Sequence, residues 1–214
     1  MIELSIQSIT PFLKSGQMFQ DQLSGLDKMR QKAIMTMAGR EDQCRMLAAG
    51  SLLQKALFKR GYRLAEMIVS KNEHGKPYIK ALPDFHFNLS HSGEYAVCAV
   101  SDKPVGIDIE RIRFQEEREW KRMDRLAKKI MTEEELAIYL ETKKEKRPVE
   151  FTKLWTKKES ASKLLGLGMQ LPFEQIDTRS SGIFYELYQK EGYVLCVAAK
   201  QNQPCIWDKQ MVTS

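Results

Sequence analysis

The sequence predicts an α+β fold: a pseudo-twofold pair of similar α+β halves, residues 1–104 and 105–214, with a ligand cleft between them. Three observations predict it. Apolar residues recur at helical spacing in some stretches, and in others they alternate or run unbroken through short segments rich in β-branched residues. A helix-then-hairpin order appears in each half. The run YAVCAVS at 95–101 is matched by YVLCVAA at 193–199, the internal similarity that a duplicated unit leaves. A length of 214 residues suits one large domain or two small ones.

Taken in order, residues 2–6 alternate apolar and polar and predict an opening strand. Residues 26–38 and 40–59 predict two helices broken near Gly39, with Cys44, Leu47, Leu52 and Ala56 on the apolar stripe of the second. Arg45 falls beside that stripe, and Lys28 and Lys32 share a face of the first helix at i,i+4; on their own these are basic residues on solvated faces. Residues 67–70 suit a strand before the turn signal Asn72-Glu73-His74-Gly75. Beyond residue 110, residues 116–129 form a charged helix. Thr132 is an N-cap for a helix through 141, with Glu135 three residues on as the other half of a capping box. Residues 142–148 read as a basic loop and 150–165 as a helix ended by Gly166. Residues 183–188 and 193–199 read as a hairpin across Lys190-Glu191-Gly192, and 205–207 as one more short strand.

The stretch at 87–110, FNLSHSGEYAVCAVSDKPVGIDIE, sets two polar clusters around an apolar run. Asn88, Ser90, His91 and Ser92 form the first cluster, Asp108 and Glu110 the second. Residues 95–100 read as a buried strand and 105–110 as a second strand turned against it across Asp102-Lys103-Pro104. Positions two apart on a strand share a face, so Asp108 and Glu110 point one way while Ile107 and Ile109 point into a core. Paired carboxylates repel unless a cation lies between them, and a hard divalent ion is the usual one. Alone, such a pair is more often a solvated strand face.

The overall balance narrows the partners. A hydrophobic share of 43% and a charged share of 29% are those of an ordinary soluble protein. The longest apolar runs fall far short of a membrane span, and the opening MIELSIQSIT lacks a signal-peptide pattern, so a cytoplasmic protein without membrane contact is expected. The four cysteines show no C-x-x-C spacing; Cys98 and Cys196 lie in strand-like runs as reduced core residues. The formal charge of +6 favours an anionic partner, but the basic residues are scattered rather than gathered in a tract, which weighs against nucleic acid.

A second informative stretch is WTKKESASK at 155–163. Trp155, Glu159 and Lys163 fall at i, i+4 and i+8 on one helical face, with Lys158 at its edge. Taken alone this is an amphipathic helix with a packed Trp and an outward Glu–Lys pair. Together, the three stretches FNLSHS at 87–92, GIDIE at 106–110 and W-x-x-K-E-x-x-x-K at 155–163 resemble, in order and spacing, the signature motifs of the 4′-phosphopantetheinyl transferases. Length and duplicated layout resemble the Sfp-type branch. The match takes in Gly75-Lys76-Pro77 and Gly166-x-Gly168 followed by Leu171-Pro172.

That resemblance implies the 4′-phosphopantetheinyl transferase fold, with coenzyme A in the cleft. It implies transfer of the phosphopantetheine arm to a serine of an apo acyl- or peptidyl-carrier protein, with release of adenosine 3′,5′-bisphosphate. Asp108 and Glu110 match the family's metal-binding pair for Mg²⁺, or Mn²⁺ in its place, and Glu135, or its neighbour Glu133 or Glu134, stands where a third acidic ligand is placed. Lys158 and Lys163 match lysines that touch the coenzyme's phosphates, and Glu159 the proposed base. Ser90 and His91 match phosphate-holding residues, Lys76 and Pro77 residues beside the adenine, and Arg45 a 3′-phosphate contact. Lys28 and Lys32 resemble the family's N-terminal basic residues. The chemistry asks for these types: charge builds on the leaving nucleotide phosphate, and a cation with nearby Lys158 and His91 neutralises it, while the incoming serine gives up a proton. Two other classes fit less well. A non-catalytic nucleotide- or nucleic-acid-binding protein has no use for acids that oppose a polyanion, and a metal-dependent phosphodiesterase would use water in place of a carrier. A duplicated chain of this kind is expected to be a monomer.

Overall fold

In the computed structural model, which describes residues 1–113, 116–168, 172–179 and 182–208, alternation and helical stripes become sixteen principal elements. They run β1 (Ile2–Ser8), α1 (Thr10–Lys14), α2 (Gly16–Ser24), α3 (Lys28–Met35), α4 (Arg40–Phe58), β2 (Val69–Lys71), β3 (Pro77–Ile79), β4 (His86–Ser92), β5 (Tyr95–Ser101) and β6 (Val105–Arg111). The chain continues through α5 (Glu117–Ile130), α6 (Glu133–Glu141), α7 (Arg147–Leu165), β7 (Phe184–Lys190), β8 (Tyr193–Ala199) and β9 (Cys205–Trp207). Leu171, part of the match after the third motif, lies outside the described residues. No helix among the described residues is long and apolar enough to cross a membrane.

Local chemistry sets the helix ends. Asp27 caps α3 by accepting from the Arg30 N–H. The expected capping box forms at α6: the Thr132 hydroxyl accepts from the Glu135 N–H while Glu135 accepts from the Thr132 N–H, satisfying two donors that an open helix end leaves unpaired. Pro148 opens α7, where its missing N–H costs nothing.

Two sheets follow, ordered β4-β5-β1-β9 and β6-β8-β7. Their registers correspond. In the first, Tyr95 lies opposite both Ser8 and Ser92; in the second, Tyr193 lies opposite both Arg111 and Lys190. Thus β1, β4 and β5 of the first half answer β6, β7 and β8 of the second, and α4 and α7 pack on the two central strands in the same way. β9 crosses back to lie parallel to β1.

One expectation is overturned. β6 does not turn back on β5; it pairs with β8, in the other sheet. The turn after Ser101 carries the chain from one sheet to the other, so that Ile107 and Ile109 pack across the gap on Val97 and Ala99 with Leu195 and Val197. The sheets meet face to face through this shared core. The outer face of the first sheet is covered by helices, with Phe12, Phe19, Leu47, Leu52 and Cys98 in one cluster. Burying such side chains stabilises by about 1.5–3 kcal/mol each. The four cysteines are free, and burial pushes the Cys98 and Cys196 thiols up to about 12, as inert core groups.

Gly106 fixes the distance between β6 and α7. A Cβ there would lie 1.9 Å from the Ser160 carbonyl oxygen and 2.6 Å from the Leu164 nitrogen. Only glycine lets the helix backbone come this close to the strand. Because α7 sits down on β6, its polar side chains reach the acids of that strand.

Candidate active site

β4 and β6 lie side by side at the edges of different sheets, joined by side chains. Asn88 Oδ1 accepts from the Ile107 N–H at 2.9 Å, and Ser92 Oγ accepts from the Arg111 N–H at 3.1 Å. Ser90 donates to Asp108 Oδ1 at 2.7 Å, and Ser92 donates to Glu110 Oε2 at 2.9 Å. The period-two spacing of the two serines meets the same spacing of the two acids. The motif at 87–92, with no secondary structure assigned to it from sequence, is the β4 half of this seam.

From the other side α7 brings Lys163, whose ammonium lies 2.6 Å from Asp108 Oδ1 and donates to Ser90 Oγ at 2.9 Å. Asp108 is only 3% exposed, and its second oxygen, Oδ2, is buried without a hydrogen-bond partner. A buried carboxylate oxygen without a partner suits a cation or a hydrogen-bond donor. Glu159 stands one helical turn before Lys163. Burial, the charge of Asp108 and then that of Glu110 raise its pKa against the opposing pull of Lys163. Burial and Asp108 likewise raise Glu110, with Ser92 pulling the other way. The three carboxyl groups therefore feel one another, and one ammonium does not balance them.

The seam opens into a cleft of about 760 Å³ lined by Arg45, His91, Ser92, Glu110, Arg111 and Arg113, among others. Arg45 is anchored at the cleft wall, donating to the Gly93 carbonyl at 2.9 Å and to Glu41 and Asp42. His91 is exposed at the cleft wall; partial desolvation and the cations Lys163 and Arg45 lower its pKa and favour the neutral ring. Arg111 and Arg113, at the end of β6 and just beyond it, were not singled out in sequence.

Other expected residues lie elsewhere. Glu135 does not join Asp108 and Glu110. Its Oε1 accepts from the N–H and hydroxyl of Thr178, and its Oε2 from Thr132 N–H and from Lys158 Nζ at 2.6 Å. A carboxylate so saturated and buried stands apart from the acidic pair and serves the packing of α6 on α7 in this structure. Lys158 stands apart with it: its side chain is fully buried, paired with Glu135, and donates to the carbonyls of Phe173 and Ile176. Trp155 packs on Phe151 and Phe173 rather than on the acids. Lys76 donates to the carbonyls of Leu164 and Val105, tying the β2–β3 hairpin to the end of α7, and burial pushes its pKa down to about 8. Pro77 opens β3, and Lys28 lies exposed at the start of α3; neither lines the cleft.

Among the described residues no three His, Cys, Asp or Glu side chains are grouped to hold a metal ion. Asp108 and Glu110 nevertheless fit Mg²⁺, which takes one or two carboxylates and fills its remaining positions with substrate phosphate oxygens and water. The unpartnered Asp108 Oδ2 supports this fit.

Comparison with known proteins agrees with the geometry. Residues 104–210 match the family described as the 4′-phosphopantetheinyl transferase superfamily, and residues 13–103 match the family described as 4′-phosphopantetheinyl transferase, N-terminal. The chain is 34% identical over 167 residues to a 4′-phosphopantetheinyl transferase of Bacillus subtilis, covering 78% of this chain and 68% of that protein. It is 36% identical over 174 residues to the 4′-phosphopantetheinyl transferase gsp of Aneurinibacillus migulanus, covering 78% and 69%. It is 33% identical over 168 residues to the 4′-phosphopantetheinyl transferase Sfp of Bacillus subtilis strain 168, covering 78% and 68%.

Proposed function

The chain belongs to the 4′-phosphopantetheinyl transferase superfamily, and we propose that it moves the 4′-phosphopantetheine group of coenzyme A to a serine of an apo acyl- or peptidyl-carrier protein, with Mg²⁺, releasing adenosine 3′,5′-bisphosphate. The observation that carries this reading is the seam itself: Asp108 with an unpartnered buried oxygen, Glu110 and Glu159 beside it, and the Lys163 ammonium against Asp108.

Asp108 and Glu110 would hold the Mg²⁺, which would supply charge neutralisation to the leaving nucleotide phosphate. Arg45 and His91 take the coenzyme's phosphates at the cleft wall, Arg45 as a fixed charge and His91 as a neutral donor. The carrier serine Oγ forms the new bond to phosphorus as the bond to the bridging pyrophosphate oxygen breaks. The electron pair leaves with the nucleotide, and the serine proton passes to Glu159. Burial raises the Glu159 pKa, which makes it a stronger base than a free glutamate. Lys163 stays against Asp108 and Ser90 and offsets the charge that gathers there. The same reading takes residues 1–104 and 105–214 as the two halves, and the chain as a cytoplasmic monomer.

The test is the intact mass of an apo carrier protein after incubation with the enzyme, coenzyme A and Mg²⁺. A gain of one phosphopantetheine group, absent without Mg²⁺ and absent with Asp108→Ala, is expected. No gain on any of several unrelated carriers, or full activity of folded Asp108→Ala, overturns the reading.

A further inference from the structure

The two acids of β6 are held differently. Asp108 has a hydroxyl and an ammonium on one oxygen. The hydroxyl of Ser92 donates to Glu110, and that same hydroxyl is fixed in turn because it accepts from the Arg111 N–H. We propose that Ser92 is a positioning residue of the metal site, holding the Glu110 carboxylate in the orientation that binds the ion; this rests on the reading of Asp108 and Glu110 as the metal pair.

Three features support it. Ser92 is buried, and both its proton and a lone pair are committed, so its rotamer is locked from two sides. Glu110 is a long side chain at the mouth of an open cleft, where a carboxylate without a partner would sample several rotamers. The Ser92–Glu110 bond crosses the β4–β6 seam beside the Ser90–Asp108 bond, so β4 holds both acids from the same side. Partners that orient a ligating group in this way typically change metal affinity by about 10–100-fold when removed.

The test is a double-mutant cycle read by Mn²⁺ binding, with the free ion counted by electron paramagnetic resonance and folding checked by circular dichroism. Ser92→Ala is expected to weaken Mn²⁺ binding about tenfold in the wild-type background and to add nothing in a Glu110→Gln background. Ser92→Thr, which keeps the hydroxyl, should retain most of the affinity. Turnover by Ser92→Ala should recover at saturating Mg²⁺. Unchanged Mn²⁺ affinity in Ser92→Ala overturns the proposal, and so does an equal loss in both backgrounds, which marks general loosening. Asp108→Ala separates the two readings. If it binds Mn²⁺ as the wild type does, the metal pair itself falls and Ser92 with it. If it abolishes binding while Ser92→Ala is silent, only the role of Ser92 falls.

Discussion

Replacing Lys158 with Met puts the buried Lys158–Glu135 pair to a direct trial. The Lys158 and Glu135 side chains are 0% and 1% exposed, and they meet at 2.6 Å. Lys158→Met keeps the length and apolar stem but leaves Glu135 charged in a place without water. Removing one member of a buried pair costs about 3–5 kcal/mol, because the survivor stays uncompensated. The Thr132 N–H and the two donors of Thr178 remain, which favours the lower end. The carbonyls of Phe173 and Ile176 also lose a donor, at about 1 kcal/mol each. We expect a loss near 5 kcal/mol, out of about 5–15 kcal/mol for a domain. Glu135→Leu with Lys158→Met should restore most of it, since no charge is then buried alone. The assay is urea unfolding followed by circular dichroism, with coenzyme A affinity measured by calorimetry on the folded variant. Burial raises the Glu135 pKa, but Lys158 and the donors of Thr178 and Thr132 outweigh it and hold the value below normal. Its contribution is therefore present above the ordinary carboxylate range and is lost as pH falls through the lowered value; Lys158→Met should move acid unfolding to higher pH. A variant within about 1 kcal/mol of wild type that binds coenzyme A more than about tenfold more weakly would refute this reasoning and return Lys158 to the phosphates.

Other expectations follow from the same geometry. Gly106→Ala drives a methyl into the Ser160 carbonyl; it should cost about 3 kcal/mol in urea unfolding and depress transfer by lifting α7 from β6, and wild-type behaviour would show that the contact can yield. Glu110 and Glu159 have raised pKa values, so their contribution to stability is present below the ordinary glutamate range and is lost as pH rises through the raised values. Metal-free protein should lose stability across that window, and Glu159→Gln should flatten the profile; an unchanged profile would separate Glu159 from the acidic pair. Lys76, pushed down to about 8 by burial, should add stability as pH climbs from about 8 toward the ordinary lysine range. Lys76→Met should remove that rise, and a rise that persists would assign it to another group.

Much of this site is written in local periodicity. The spacing of Asp108 and Glu110 on a strand, and of Glu159 and Lys163 on a helix, puts each pair on one face, and the structure keeps both pairings. The capping box of Thr132 and Glu135 was equally legible. What sequence did not reveal is which faces meet. Lys158 and Lys163 are five residues apart, about 140° around the helix, so they cannot serve one ligand from one side. Lys163 points to the seam and Lys158 to α6. Glu135 is a good cap and a plausible ligand by position alone; only the arrival of Thr178 and Lys158 decides between them. The partner of β6 is nearly ninety residues away in sequence, so a local turn signal could not give it. Helices α1 and α2, unassigned from the sequence, are short and take their order from burying Phe12, Phe19 and Leu23.

The most direct measurement is anomalous scattering from Mn²⁺ in crystals grown with coenzyme A. One ion peak is expected between the Asp108 and Glu110 carboxylates, touching the coenzyme's pyrophosphate, with Glu135 still bound to Lys158 and Thr178. A peak coordinated by Glu135, or coenzyme A bound away from the β4–β6 seam, would contradict this expectation.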